Sequence, residues 1–190
     1  MSQKKLSMVA DTGPLLALGV VGRLDLLSRL YSAVFVSASV RRELEDGAPK
    51  YTDARRVMEA IDRGWLKAIF ITPALSEKVD AIIHGPPRLG RAQAESIVLC
   101  QQLRVNLILM DDRQAARVAQ AAGLNVIHGL DILLHAARSS MLSKAQALSH
   151  LLELEQARQY SEEELRLARK RIEQGCMTHG RGWHPSPRGN

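Results

Sequence analysis

Short apolar runs alternate with stretches of helical spacing along most of this chain, and that alternation constrains its fold more than any other feature. The runs are Leu6 to Ala10, Ala33 to Val36, Trp65 to Ile71, Val105 to Met110 and Asn125 to Ile127. Strands separated by helices pack economically as a parallel sheet covered on both faces, so the predicted class is α/β. Only 4% of the residues are aromatic, although 46% are hydrophobic. Leu, Ala, Val and Ile must therefore supply the core, which suits helices on a parallel sheet better than an all-β fold.

The intervening helices carry recognisable boundaries. Thr12-Gly13-Pro14 reads as a helix start, with Pro14 expected at the first helical position. Ser37 or Ser39 can cap the helix through Val40 and Leu44. A polar helix is predicted over 53–62 and another over 73–83, before the break at Gly85-Pro86-Pro87. Arg91 to Leu103 is helical, with Ala94, Ile97, Val98, Cys100 and Leu103 on its buried face. Arg113 to Ala122 ends at Gly123, suited to the left-handed residue after a helix, and a helix starts at Ile132. From Ser143 the composition changes. Leu148, Leu151, Leu152 and Leu154 form an apolar stripe, and Ser161 with Glu164 reads as a capping box. The expected organisation is an α/β domain over 1–142, a helical extension over 143–175 and a disordered tail over 176–190.

The chain has 190 residues and a net charge of +6. A basic surface around a small acidic cluster is the balance expected of a protein that attracts a phosphate backbone and binds metal. Cys100 falls on a buried helix face and Cys176 in the polar tail, so no disulfide framework is expected and a reducing cytoplasm is the predicted location. Lys4 and Lys5 precede an apolar stretch, but Asp11 and Gly13-Pro14 interrupt it, unlike a signal peptide. No run approaches the roughly 20 apolar residues that span a bilayer. The chain has no phosphate loop, dinucleotide fingerprint or nucleophile elbow, and its six histidines lack zinc-ligand spacing.

Four acids stand where metal chemistry needs them. Asp11 and Asp111 each end a predicted strand, and Glu43 and Glu95 each lie on a predicted helix. Ligands of parallel sheets bind at the carboxyl ends of strands. Carboxylates gathered there suit hard cations such as Mg²⁺ or Mn²⁺. Each also has a plainer reading. Asp11 can cap the following helix, Glu43 can be an ordinary surface residue, and Glu95 can pair with Arg91 one turn away. Of the adjacent Asp111 and Asp112, Asp111 is favoured for the site and Asp112 as the cap of the Arg113 helix, with a share in the metal through water. Thr12 can orient a bound water or phosphate, or shape a turn. Arg91, Arg113 and Arg117 flank the acids and are candidates for phosphate contacts, or ordinary solvated charge.

Val9-Ala10-Asp11-Thr12-Gly13-Pro14-Leu15-Leu16, followed by Gly22-Arg23-Leu24-Asp25-Leu26-Leu27, resembles the opening of PIN-domain proteins. It is most similar to a prokaryotic PIN-like branch akin to the toxins of toxin–antitoxin pairs. Val40-Arg41-Arg42-Glu43-Leu44, Leu89-Gly90-Arg91-Ala92-Gln93-Ala94-Glu95-Ser96-Ile97, Leu109-Met110-Asp111-Asp112-Arg113 and Gly123 to Ile127 resemble the later motifs, in order, over residues 6–142. The resemblance implies a three-layer α/β/α fold and a metal-dependent endoribonuclease that cleaves single-stranded RNA. The catalytic and metal-holding residues would be Asp11, Glu43, Glu95 and Asp111, aided by Asp112, with Mg²⁺ or Mn²⁺ bound. It also implies a small antitoxin partner for some relatives. One departure stands out: this branch often has Gly-Glu where this chain has Ala92-Gln93, and Gln93 carries no charge.

Two other readings follow from the residues. The departure at Gln93 favours a catalytically weak or inactive nucleic-acid binder on the same fold. The late helices, without an evident core of their own, favour an interaction module that forms a homodimer or larger assembly, or that seats a partner.

Overall fold

The computed structural model describes residues 6–175. The predicted disordered tail, with Cys176, lies outside them. The described residues fall into two compact units that divide between Gly129 and Leu130, ahead of the compositional change at Ser143.

The first unit holds five strands: β1 (Ser7–Ala10), β2 (Ala33–Ser37), β3 (Leu66–Ile69), β4 (Leu107–Leu109) and β5 (Asn125–Ile127). All pair in parallel, in the order β3-β2-β1-β4-β5. The chain winds from β1 outward to β3, then crosses back to β4 on the other side of β1. That reversal is a topological switch point, and it lies between β1 and β4 at their carboxyl ends. Helices α1 (Thr12–Val20), α2 (Asp25–Leu30), α3 (Ala38–Gly47) and α4 (Thr52–Asp62) belong to the outward crossovers. Helices α5 (Ser76–His84), α6 (Arg91–Leu103) and α7 (Arg113–Ala121) belong to the return. Right-handed crossovers in opposite directions put the two groups on opposite faces, which gives the three-layer α/β/α arrangement.

The core follows from strand alternation. Val9, Ile108 and Met110 pack with Ile97 and Cys100 of α6 and Ala115 and Ala119 of α7. Met8, Ala10, Leu107 and Leu109, whose side chains alternate to the other face, are also fully buried. A strand buried on both faces is uniformly apolar, which is why β1 and β4 read as continuous runs.

Several boundaries differ from the sequence reading. The third and fourth strands are shorter than predicted, ending at Ile69 and Leu109, and residues 73–75 form a 3-10 turn before α5. Asp11 is the residue before α1, so Pro14 is the third helical residue rather than the first. The position is still compatible with proline, because the first four helical N–H groups have no partner within the helix. Between the alternatives for α3, Ser37 is the cap: its Oγ accepts from the Val40 N–H at 3.2 Å.

The second unit contains most of α8 (Gly129–Arg138), with α9 (Lys144–Gln156) and α10 (Glu162–Gly175), and α9 packs on α10. Both of the latter start with reciprocal caps. Ser143 exchanges hydrogen bonds with Gln146, and Ser161 with Glu164. The predicted leucine stripe is only partly buried. Leu151 and Leu154 are buried, whereas Leu152 is 49% exposed. Adjacent helical residues point about 100° apart, so Leu151 and Leu152 cannot both face inward on a narrow stripe. No helix among the described residues is long and apolar enough to cross a membrane.

Candidate active site

Asp11 directly follows β1 and Asp111 lies two residues past the end of β4, so the switch point brings two carboxylates beside each other. The Asp11 N–H donates to the Leu109 carbonyl at 2.9 Å, which locks this end of β1 to β4. A hollow of about 330 Å³ opens here, lined by Asp11, Thr12, Gly13, Glu43, Gly90, Ala92, Gln93, Asp111 and Asp112.

Asp11 is a strongly perturbed group. It is 6% exposed, and its Oδ1 is buried without a hydrogen-bond partner. It precedes α1, yet its side chain makes no capping bond. Burial pushes its pKa up to about 7, and repulsion from Glu43, Asp111 and Asp112 pushes in the same direction, against a hydrogen bond from the Thr12 backbone. A buried carboxylate oxygen that neither caps nor pairs is poorly explained by stability, and such perturbed groups concentrate at functional sites.

The other side chains are held. Glu43 Oε2 accepts from the Thr12 hydroxyl at 2.6 Å, joining α3 to the start of α1. Asp111 Oδ1 accepts from the Gly129 N–H at 2.9 Å, and His128 Nδ1 lies 3.6 Å from the same oxygen. Asp112 Oδ1 accepts from the Ala115 N–H at 2.8 Å and so caps α7, as its position before the Arg113 helix predicts. Asp112 still lines the hollow.

The structure places Glu95 differently from the other three acids. Glu95 is not part of the lining, and its Oε2 accepts from the Ser39 N–H at 3.1 Å. A carboxylate there satisfies an orphan donor in the first turn of α3 and favours the positive end of that helix. Its other oxygen lies 3.9 Å from Arg91, whose guanidinium also reaches Asp80 at 3.4 Å. The α6 residue that does line the hollow is Gln93. Arg91, Arg113 and Arg117 are exposed and contribute nothing to the lining.

Glu95→Ala should therefore lower stability by about 1 kcal/mol in urea unfolding, the usual cost of losing a cap. It should lower Mn²⁺ affinity less than Glu43→Ala does. The reverse order of affinities in calorimetry would make Glu95 a ligand after all.

Sequence reasoning passed over Gly13, Gly90 and His128. His128 follows β5 directly, as Asp111 closely follows β4, so its place at a strand end was a usable signal.

The match to a known family covers residues 7–174 and is to the PIN domain. The chain belongs to the PIN-domain family. The matched stretch continues through α9 and α10, beyond the motifs at 6–142 that carry the resemblance. No curated protein sequence matches the chain significantly. PIN domains are generally nucleases, and such nucleases usually work with Mg²⁺ or Mn²⁺.

The residues present set limits on how a cation could be held. Among the described residues, no group of three or more His, Cys, Asp or Glu side chains converges closely enough to ligate one ion directly. The hollow nevertheless fits an ion that keeps much of its water. Its charged donors are all hard carboxylate oxygens, one of them buried and unpartnered, and Mg²⁺ is commonly held by only one or two carboxylates plus waters.

Proposed function

We propose that this PIN-domain protein is a metal-dependent endoribonuclease that cleaves single-stranded RNA. The observation that carries the reading is Asp11 Oδ1, buried and unpartnered at the switch point among Glu43, Asp111 and Asp112. Asp11 and Asp111 would hold Mg²⁺ or Mn²⁺, with Glu43 and Asp112 reaching it through water. When bound, the ion activates water and neutralises charge developing on the phosphate. The chain's own groups do the rest. Asp11 would have to give up its proton to hold the ion. The Thr12 hydroxyl fixes the Glu43 carboxylate, and the Gly129 N–H fixes Asp111. The basic balance of the chain attracts the RNA backbone.

A toxin role, with a small antitoxin holding the enzyme inactive, is part of this proposal. So is self-association through the second unit. Leu152 on α9 and Leu167 on α10 are 49% and 43% exposed, which supports a partner surface there. Leu152→Glu combined with Leu167→Glu should convert a dimer into a monomer in sedimentation, and a monomeric wild type would refute self-association.

The second reading, a nucleic-acid binder with little turnover, draws on the neutral Gln93 and on the absence, among the described residues, of a directly ligating trio. Labelled single-stranded RNA incubated with wild type or Asp11→Asn, in Mn²⁺, Mg²⁺ or EDTA, separates the two. Cleavage by wild type alone, abolished by EDTA, supports the nuclease. RNA binding without cleavage in any metal supports the binder.

A further inference from the structure

The hollow has an electrostatic difficulty that points to a role for Gln93. Four carboxylates line it, and no Lys, Arg or His does. A phosphodiester approaching these acids meets repulsion. The lining side chains that could donate a hydrogen bond are the Thr12 hydroxyl and the Gln93 amide, and Thr12 already donates to Glu43 at 2.6 Å. Gln93 is thus the one nitrogen-bearing side chain in the lining.

Its orientation is fixed by chemistry. The Gly90 N–H donates to the Gln93 side chain at 3.1 Å. A backbone N–H needs an acceptor, so the atom facing it must be Oε1 and the NH₂ must be the other branch of the amide. Oε1 is thereby engaged at the start of α6, and the two N–H donors of Nε2 are the part of the side chain left for a ligand. Gln93 is only partly buried and lines the hollow.

We propose that Gln93 contacts the substrate, its amide NH₂ donating to a non-bridging phosphate oxygen of the RNA beside the carboxylates. The inference rests on the ribonuclease reading and deepens it. In this chain α6 supplies a neutral donor to the RNA through Gln93, and an anchor for α3 through Glu95. A neutral donor suits the place, because a lysine or arginine there would be drawn into an ion pair with the neighbouring acids.

The test uses the full chain and a labelled ten-nucleotide single-stranded RNA, with binding read by fluorescence anisotropy in Ca²⁺ and in EDTA. Mn²⁺ binding without RNA is read separately by electron paramagnetic resonance. Gln93→Leu removes the donor, and RNA affinity should fall roughly fivefold to tenfold, the size of one net hydrogen bond. Its Mn²⁺ affinity should stay at the wild-type value. Gln93→Glu keeps the acceptor for the Gly90 N–H and replaces the donor by an anionic oxygen. It should bind RNA more weakly still while binding Mn²⁺ more tightly. Unchanged RNA affinity in Gln93→Leu overturns the inference. Parallel loss of RNA and Mn²⁺ affinity also overturns it, because that pattern means a structural role. If wild type binds no RNA under either condition, the ribonuclease reading fails and the inference falls with it. If wild type binds RNA and the Gln93 variants bind it equally well, the inference fails alone.

Discussion

Asp11→Asn is expected to abolish most cleavage while making the folded protein more stable. The activity loss should be on the order of 10²–10³-fold, the effect typical of removing one preorganised electrostatic group from a site. The gain in stability follows from linkage. The folded carboxyl keeps its proton up to about pH 7, whereas an unperturbed aspartate releases it near 3.8. Between those values the folded state binds more protons than the unfolded state, so stability falls as pH rises. The penalty is absent below about pH 4 and complete above about pH 7. The gap between the two values corresponds to on the order of 4 kcal/mol. Asparagine has no charge to desolvate, and no side-chain cap is lost, because Asp11 makes none. Urea unfolding in EDTA should therefore show wild type losing stability from pH 5 to 8 and the variant losing less. Mn²⁺ should restore wild type at pH 8 and leave the variant nearly unmoved. Equal pH slopes for the two proteins would mean that Asp11 is not the strained carboxylate the geometry describes.

The central strands of the sheet were legible because they are buried on both faces. Met8-Val9-Ala10 and Leu107-Ile108-Leu109 leave no polar position to confuse the reading, and Asp11 and Asp111 stand out where the apolar runs stop. The helix caps at Ser161 and Asp112 were legible for a similar reason, since a short side-chain acceptor at the start of a helical pattern has one main use, whereas Ser37 stood beside Ser39 as an alternative and the cap at Ser143 went unread. The roles of Gln93 and Glu95 were not. Residues two apart on a helix point about 200° around its axis from each other, so only one of them can face a given hollow. Which one does depends on the rotation of α6 against β1, β2 and β4, a tertiary property. The need of α3 for an acceptor at Ser39 was equally invisible, because Ser39 and Glu95 lie 56 residues apart.

Gly19 was also unremarkable as a letter, and it supports the second large effect. It lies within α1, where glycine costs about 1 kcal/mol relative to alanine, so an isolated helix would gain from Gly19→Ala. The structure predicts the opposite sign. A Cβ at Gly19 would sit 2.8 Å from the Asp53 carbonyl oxygen and 3.2 Å from the Asp53 Cα, and these are backbone atoms that cannot swing aside. Arg56 fastens the same contact, donating from Nη1 to the Gly19 carbonyl at 2.7 Å and the Val20 carbonyl at 2.9 Å. α4 thus approaches α1 at its carboxyl end, while the amino end of α1 carries Thr12 and Gly13 into the hollow. Gly19→Val must push the helices apart, at a cost of about 3 kcal/mol for overpacking. The melting temperature should drop by roughly 6–12 °C, since a chain of this size loses about 2–4 °C per kcal/mol. Gly19→Ala should destabilise by a smaller amount, and both variants should weaken Mn²⁺ binding as the start of α1 shifts. A Gly19→Ala protein more stable than wild type would show that the helices have room to spare, and that the close approach of α1 and α4 does not require a glycine at this position.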